Sequence, residues 1–115
     1  MNMNETIRDG ILLIQLEGEI MGGEESVKFQ NRIYKAIEED NIKIILDMEN
    51  VKWMNSSGLG MLMGALTTLR SSGGDMCLLN AGARVRRPIE VTKLDSVLKM
   101  FSTFDEAVSC LEEGE

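Results

Sequence analysis

Two adjacent serines, Ser56 and Ser57, stand where the sequence changes from a strand pattern to a helix pattern. They lie between Asn55 and Gly58, and this group of residues is typical of a turn and a helix start. In one interpretation a serine hydroxyl simply caps the helix, and Gly58 allows close packing. In the other, an exposed hydroxyl is phosphorylated, and the helix dipole and free N–H groups stabilise the added phosphate.

The apolar residues around the serines predict the elements that position them. Residues 42–48 are the most hydrophobic run and are expected to form a buried strand. Beyond the serines, apolar side chains recur at helical spacing and predict a core-facing stripe at Leu59, Leu62, Met63, Leu66 and Leu69. Another face of this helix carries Gly60 and Gly64. Because each glycine costs about 1 kcal/mol relative to alanine inside a helix, we expect a neighbour to pack closely there.

The rest of the chain alternates between strand and helix patterns. Asp9-Gly10 predicts a hairpin turn between two strands at the start. The further segments are strands at 5–8, 11–16, 75–80 and 97–101, and helices at 25–38, around Val85, Ile89 and Val91, and at 104–111. The order β-β-α-β-α-β-α-β-α predicts a single α/β domain over residues 1–115. Its sheet is expected to be mixed and mainly parallel, with helices packed mostly on one side.

The charge and the residue types argue against an enzyme and against a nucleic-acid-binding protein. The chain has 12 basic and 19 acidic side chains, a net charge of −7 that repels phosphate backbones. It has no histidine, the commonest general base and metal ligand. We therefore expect no catalytic residues, no cofactor and no metal.

Other features of the sequence bear on where the protein works. The polar N-terminus resembles no signal peptide, and no window approaches the ~18 uninterrupted apolar residues of a membrane span. Cys77 and Cys110 form no CxxC motif and are predicted to be free thiols in a reducing compartment. These features predict a cytoplasmic protein without membrane insertion.

Two further groups of residues suggest contacts with a partner. Met54 and Met61 flank the serines in sequence, and adaptable methionine side chains suit a docking patch. Arg84, Arg86 and Arg87 form a basic cluster. The cluster either binds a phosphate or an acidic partner, or is a solvated helix face.

The segment from Asn55 to Gly60 resembles the signature of the STAS-domain family, the bacterial anti-sigma factor antagonists. In that family the usual form is Asp-Ser-Ser-Gly-Leu-Gly after a buried strand. The resemblance extends over nearly the whole chain, to residues 16–20 (Leu-Glu-Gly-Glu-Ile), 73–74 (Gly-Gly), 94–98 (Leu-Asp-Ser-Val-Leu) and 104–107 (Phe-Asp-Glu-Ala). The family's fold agrees with the predicted order of elements.

The resemblance implies a protein-binding switch. In the family, an anti-sigma factor with serine kinase activity phosphorylates the first serine of the pair, which corresponds to Ser56. ATP and Mg²⁺ belong to that kinase. The partner-binding residues are then expected to be Met21, Met54, Asn55, Ser56, Ser57, Gly58 and Met61, in a chain that is monomeric.

This chain departs from the family pattern at two positions that border the expected kinase-docking surface. Asn55 replaces the usual aspartate, which keeps hydrogen bonding but removes a charge. Met21 stands where the family often has an aspartate, after Gly18-Glu19-Ile20. An alternative function is a STAS scaffold that is never phosphorylated and serves as a subunit of a larger, for example transporter-associated, complex.

Overall fold

The computed structural model describes residues 1–113, which form a five-stranded sheet flanked by helices. The predicted order of elements is confirmed over these residues, whereas residues 114–115 of the predicted domain lie outside them. The strands are β1 (Asn2–Arg8), β2 (Ile11–Ile20), β3 (Lys43–Met54), β4 (Asp75–Leu79) and β5 (Met100–Phe101). The helices are α1 (Glu24–Glu38), α2 (Ser56–Ser71), α3 (Ala83–Val91) and α4 (Phe104–Glu113), and a 3₁₀ turn spans Leu94–Ser96.

The strands lie in the sheet in their order along the chain, β1-β2-β3-β4-β5. β1 and β2 are antiparallel and joined at Asp9 and Gly10, which both have positive φ as a tight hairpin turn requires. The remaining pairs are parallel. Parallel neighbours need crossover helices, and crossovers of one hand between consecutive strands place those helices on the same face.

Two apolar layers enclose this sheet. The larger layer packs α1, α2 and α3 on one face, through buried side chains such as Phe29, Leu62 and Val85. The smaller layer packs Ala107 and Leu111 of α4 on the opposite face, against Ile45 and its neighbours. The prediction of helices mostly on one side is therefore confirmed.

Most strands differ from their predicted bounds: β1 begins at residue 2 instead of 5, β2 ends at residue 20 instead of 16, and β3 and β5 differ as well. β3 continues to Met54, six residues beyond the predicted strand over 42–48, because the last part of β2 pairs with it and because Val51 and Met54 turn inward. β5 has only two residues, whereas the sequence predicts a strand over 97–101. The preceding Val97 and Leu98 donate to the carbonyl of Leu94 in a turn and so do not join the ladder.

Helix α2 confirms most of its predicted stripe and corrects its glycine face. The four leucines of the stripe are buried, but Met63 is only partly so. Gly60 and Gly64 are exposed, and a Cβ at either position would meet no atom within 4 Å. The expectation of close packing against this face is therefore wrong within this chain.

Two glycines that the fold does require lie at the turn into β4. Gly73 follows the C-cap Ser72 and has a positive φ, and the amide of Gly74 donates to the carbonyl of Leu69 at 2.8 Å. A Cβ on Gly74 would overlap the carbonyl oxygen of Ile42. This contact holds the start of β4 beside the start of β3.

The two cysteines are free thiols, as predicted. Cys77 is buried in β4 with its Sγ 3.9 Å from the carbonyl oxygen of Ala107, and Cys110 is half-buried on the same helix as Ala107. Burial, followed by the neighbouring Cys110 and Asp75, raises the pKa of the Cys77 thiol to about 12. Cys77 therefore remains a neutral thiol near neutral pH.

We expect native-state thiol labelling to separate the two cysteines. With iodoacetamide at mildly alkaline pH, Cys110 should react and Cys77 should react at least about tenfold more slowly, because the thiolate is the nucleophile. Mass spectrometry of peptides would locate the label. In a Cys110→Ser variant, labelling should require urea; equal rates at both positions in the folded protein would contradict the burial of Cys77.

A second prediction compares two glycines. Gly74→Ala should lower the free energy of unfolding by about 1–3 kcal/mol, because its Cβ has no space beside Ile42. Gly64→Ala should raise it by up to about 1 kcal/mol, because that position is an open helix surface. Urea denaturation measures both, and the same sign of change for the two variants would contradict the assigned packing.

Candidate functional site

The site is built where β2 and β3 end together. Ile20 is the last residue of β2 and pairs with Met54, and the amide of Asn55 donates to the carbonyl of Ile20 at 3.2 Å. Helix α2 begins one residue later, so its first turn lies directly on the end of β2. A Cβ on Gly58 would overlap this same Ile20 carbonyl, which confirms that Gly58 permits close packing.

Asn55 is the N-cap of α2, a role that the sequence reasoning gave to a serine. Its backbone is extended, with φ −94° and ψ −179°, and its Oδ1 accepts a hydrogen bond from the Gly58 amide at 2.8 Å. This is the usual geometry by which a side chain satisfies an amide of the first turn. The capping interpretation of Ser56 and Ser57 is therefore wrong, and neither hydroxyl is needed as the cap.

Both serines are exposed at the start of the helix. Gly22, in the turn after β2, lies against Ser57: with φ of +83°, a Cβ there would be 2.9 Å from the Ser57 Cβ. The preceding Met21 has 48% of its surface exposed. The structure thus brings Met21, Ser56 and Ser57 to one accessible surface, with the half-buried Asn55 between strand and helix.

Three other residues predicted to bind a partner lie beneath this surface. Met54 is 3% exposed and Met61 is 7% exposed, and Gly58 is buried under the end of β2. Met54 faces the core because irregularities in the β2–β3 pairing shift the side-chain alternation of β3, and Met61 lies on the buried side of α2. Of the three methionines predicted to contact a partner, only Met21 is exposed.

A groove between α1 and α2 begins at Ser57. It has a volume of about 590 Å³, and its lining residues are Ser26, Val27, Gln30, Asn31, Ser57, Gly60, Met61 and Gly64. The exposed glycines keep it open, because they place no side chain between the helices. The groove extends the accessible surface from the serines along the helix pair.

Sequence reasoning missed a contact at the edge of the site. The indole Nε1 of Trp53 donates to the carboxylate of Glu19, which joins the next-to-last residues of β3 and β2 side chain to side chain. Trp53 is half-buried and is the only tryptophan of the chain. The sequence feature that could have indicated this contact is the single tryptophan two residues before the N-cap of α2.

The electrostatic environment of the serines is set by the helix. The first turn of α2 contains no acidic side chain, and Asn55 is neutral. The positive end of the helix dipole is therefore not compensated by a neighbouring carboxylate on α2, a situation that favours an added anion. Among residues 1–113, no group of three or more His, Cys, Asp or Glu side chains is placed to hold a metal ion. No helix in the same part of the chain has the length and apolarity to cross a membrane.

The cap assignment predicts a specific order of stabilities. Asn55→Ala should lower the free energy of unfolding by about 1 kcal/mol, because the Gly58 amide loses its acceptor. Asn55→Asp should retain the cap, and Ser56→Ala should change the value by less than about 0.5 kcal/mol. Urea denaturation followed by circular dichroism would test this order. If Ser56→Ala lowered the free energy of unfolding as much as Asn55→Ala does, Ser56 would be the cap instead.

Comparison with known proteins places this geometry among related chains. The anti-sigma F factor antagonist of Paenibacillus polymyxa is 28% identical over 107 residues, which cover 92% of this chain and 88% of that protein. A crystal structure from Thermotoga maritima has a TM-score of 0.85 at 24% identity, over 96% of this chain and 95% of that one. The Bacillus cell fate determinant SpoIIAA in its phosphorylated form has a TM-score of 0.70 at 24% identity, over 94% and 97% of the two chains.

The family itself is identified by a match that covers most of the chain. The model of the STAS domain matches residues 2–107, from the first strand into α4, and includes both serines and the cap. The five-stranded mixed sheet with helices on its faces agrees with this match. The chain belongs to the STAS-domain family.

Proposed function

We propose that this protein is an anti-sigma factor antagonist controlled by phosphorylation of Ser56. The unphosphorylated protein binds an anti-sigma factor with serine kinase activity and thereby releases a sigma factor. The kinase then transfers the terminal phosphoryl group of its ATP to the Ser56 Oγ, which loses its proton, and the complex dissociates. The protein works in the cytoplasm as a monomer, and it contributes no catalytic group or cofactor of its own.

The observation that carries this proposal is the exposed Ser56 hydroxyl beside a cap made by another residue. Because Asn55 already satisfies the Gly58 amide, the fold does not use the Ser56 hydroxyl as its cap. A phosphoryl group can therefore be added without loss of the cap or of buried packing. The relatives named as anti-sigma factor antagonists, and a structural neighbour solved in a phosphorylated form, support the same function.

Electrostatics explains how one modification can leave the fold intact and still end binding. In the free protein, the dianionic phosphate would lie in water near the positive end of α2, where it is tolerated. In a complex, the same dianion would lie within the contact surface and would have to be desolvated or would repel acidic groups of the partner. Asn55 places no further negative charge beside Ser56, so the phosphate alone would account for the loss of affinity.

The surface around Ser56 suggests how the partner is positioned. Met21 offers an exposed apolar side chain next to the serines, whereas Met54 and Met61 are almost fully buried and contribute mainly to the core beneath them. Trp53 is three residues before Ser56 and lies near the end of β3, so its environment should change when a protein binds at the serines. Its fluorescence provides a signal for binding from a single site.

We expect substitutions at Ser56 to separate binding from stability. Ser56→Ala should keep affinity for the cognate anti-sigma factor and abolish phosphorylation, because it removes the acceptor oxygen and adds no charge. Ser56→Asp should weaken the complex at least about tenfold, or ~1.4 kcal/mol, since it adds one of the two charges of a phosphate. Titration calorimetry or Trp53 fluorescence measures affinity, and mass spectrometry after incubation with kinase and ATP detects the phosphoryl group.

Ser57→Ala is the matched control, because it removes the neighbouring exposed hydroxyl and leaves Ser56 in place. It should still gain one phosphoryl group. Equal affinities for the wild-type, Ala and Asp proteins, with no phosphorylation of any of them, would refute the switch and favour the scaffold alternative. Phosphorylation that persists in Ser56→Ala and disappears in Ser57→Ala would identify Ser57 as the acceptor.

A further inference from the structure

The basic residues of this acidic protein are concentrated in one segment. Residues 80–102 contain five basic and two acidic side chains, whereas the rest of the chain contains seven basic and seventeen acidic ones. This segment forms α3, the 3₁₀ turn and β5. A positive region on a protein of net charge −7 is a local feature of the surface and does not follow from the overall composition.

Within this segment, two arginines stand apart on the outer face of α3. Arg84, Arg87 and Val91 are spaced i, i+3 and i+7, which places them along one side of the helix, and all three are exposed. Val91 is 70% exposed. Arg86 forms an ion pair with Glu90 at 3.5 Å, whereas Arg84 and Arg87 have no ion-pair partner within the described chain. The face thus combines two unpaired guanidinium groups with an exposed apolar side chain.

The helix dipole gives no reason for an arginine at the start of α3. Arg84 lies in the first turn, where the positive end of the dipole disfavours cations, and Arg87 is the central residue of the helix. The helix begins after Gly82 without a side-chain cap, and its first turn has no acidic residue to offset the charge. The charge of Arg84 is therefore unfavourable at this helix end, and a bound anion would offset it.

We propose that the arginine face, consisting of Arg84, Arg87 and Val91, docks a carboxylate-rich segment of a partner protein. Planar guanidinium groups bind carboxylates through paired hydrogen bonds, and Val91 would contact an apolar side chain of the same segment. The nine-residue helix is about 13 Å long, which a short extended segment can span. A nucleic acid would extend beyond it onto the acidic remainder of the protein. This proposal does not depend on phosphorylation of Ser56.

The test uses the full chain and a fluorescein-labelled peptide of glutamates around one leucine, followed by fluorescence anisotropy. We expect binding that weakens as NaCl is raised from about 20 mM to about 200 mM, because exposed charges are screened. Arg84→Glu/Arg87→Glu should weaken binding at least about tenfold. This variant should fold at least as stably as the parent, because acidic residues suit the start of a helix, and urea denaturation checks it.

Lys28→Glu/Lys35→Glu is the matched control, since it makes the same charge change at exposed positions of α1. It should bind the peptide within about twofold of the parent, and Arg84→Lys/Arg87→Lys should recover only part of the affinity. Equal losses in the two glutamate variants, or no binding at low salt, would overturn the proposal. Tighter binding of duplex DNA through the same arginines would instead identify a nucleic-acid surface. Arginine-dependent self-association in sedimentation would identify a second copy as the occupant.

Discussion

The close contact between the first turn of α2 and the end of β2 is the constraint on which the site depends. The Ile20 carbonyl accepts from the Asn55 amide and at the same time lies where a Cβ of residue 58 would be. Only glycine at position 58 allows both. Because the helix is held this close to the strand, its N-cap falls at Asn55, and the two serines that follow are turned outward. The exposure of Ser56 is thus a consequence of backbone packing several residues away.

The same contact explains why β2 and β3 are longer than their neighbours. Ile20 pairs with Met54 beyond the point where β4 ends, so these two strands project past the rest of the sheet. In this extended part of β3 the side chains of Val51 and Met54 face the core, and the Trp53–Glu19 hydrogen bond connects the two strands near their ends. The serines therefore stand on a projecting end of the sheet, where a protein partner has access to them.

Apolar periodicity in the sequence predicted the elements of this arrangement correctly. The sequence did not predict those features that depend on pairing between distant strands. The order of elements and the leucine stripe of α2 follow from apolar spacing alone. The extension of β3 does not follow from apolar spacing, because Glu49 and Asn50 are polar and are typical of a turn. Only the pairing of β2 with this segment makes it a strand. The burial of Met61 does not follow from the sequence either, since a residue next to an apolar stripe can lie on the buried or the exposed side of it. The cap was missed because Asn and Ser have similar preferences there, and only the Asn55–Gly58 hydrogen bond distinguishes them.

The topology also relates the two surfaces that we propose for partners. β3 and β4 are parallel neighbours, so α2 and α3 both begin at the same edge of the sheet. One carries a neutral serine surface and the other carries unpaired arginines. An acidic partner segment held on α3 would bring negative charge to the edge at which Ser56 would gain its phosphate. A partner large enough to cover both helices would therefore be attracted by the arginines before phosphorylation and repelled at Ser56 after it. The arrangement allows one partner to use both surfaces, with the arginines contributing to encounter and the serine determining release.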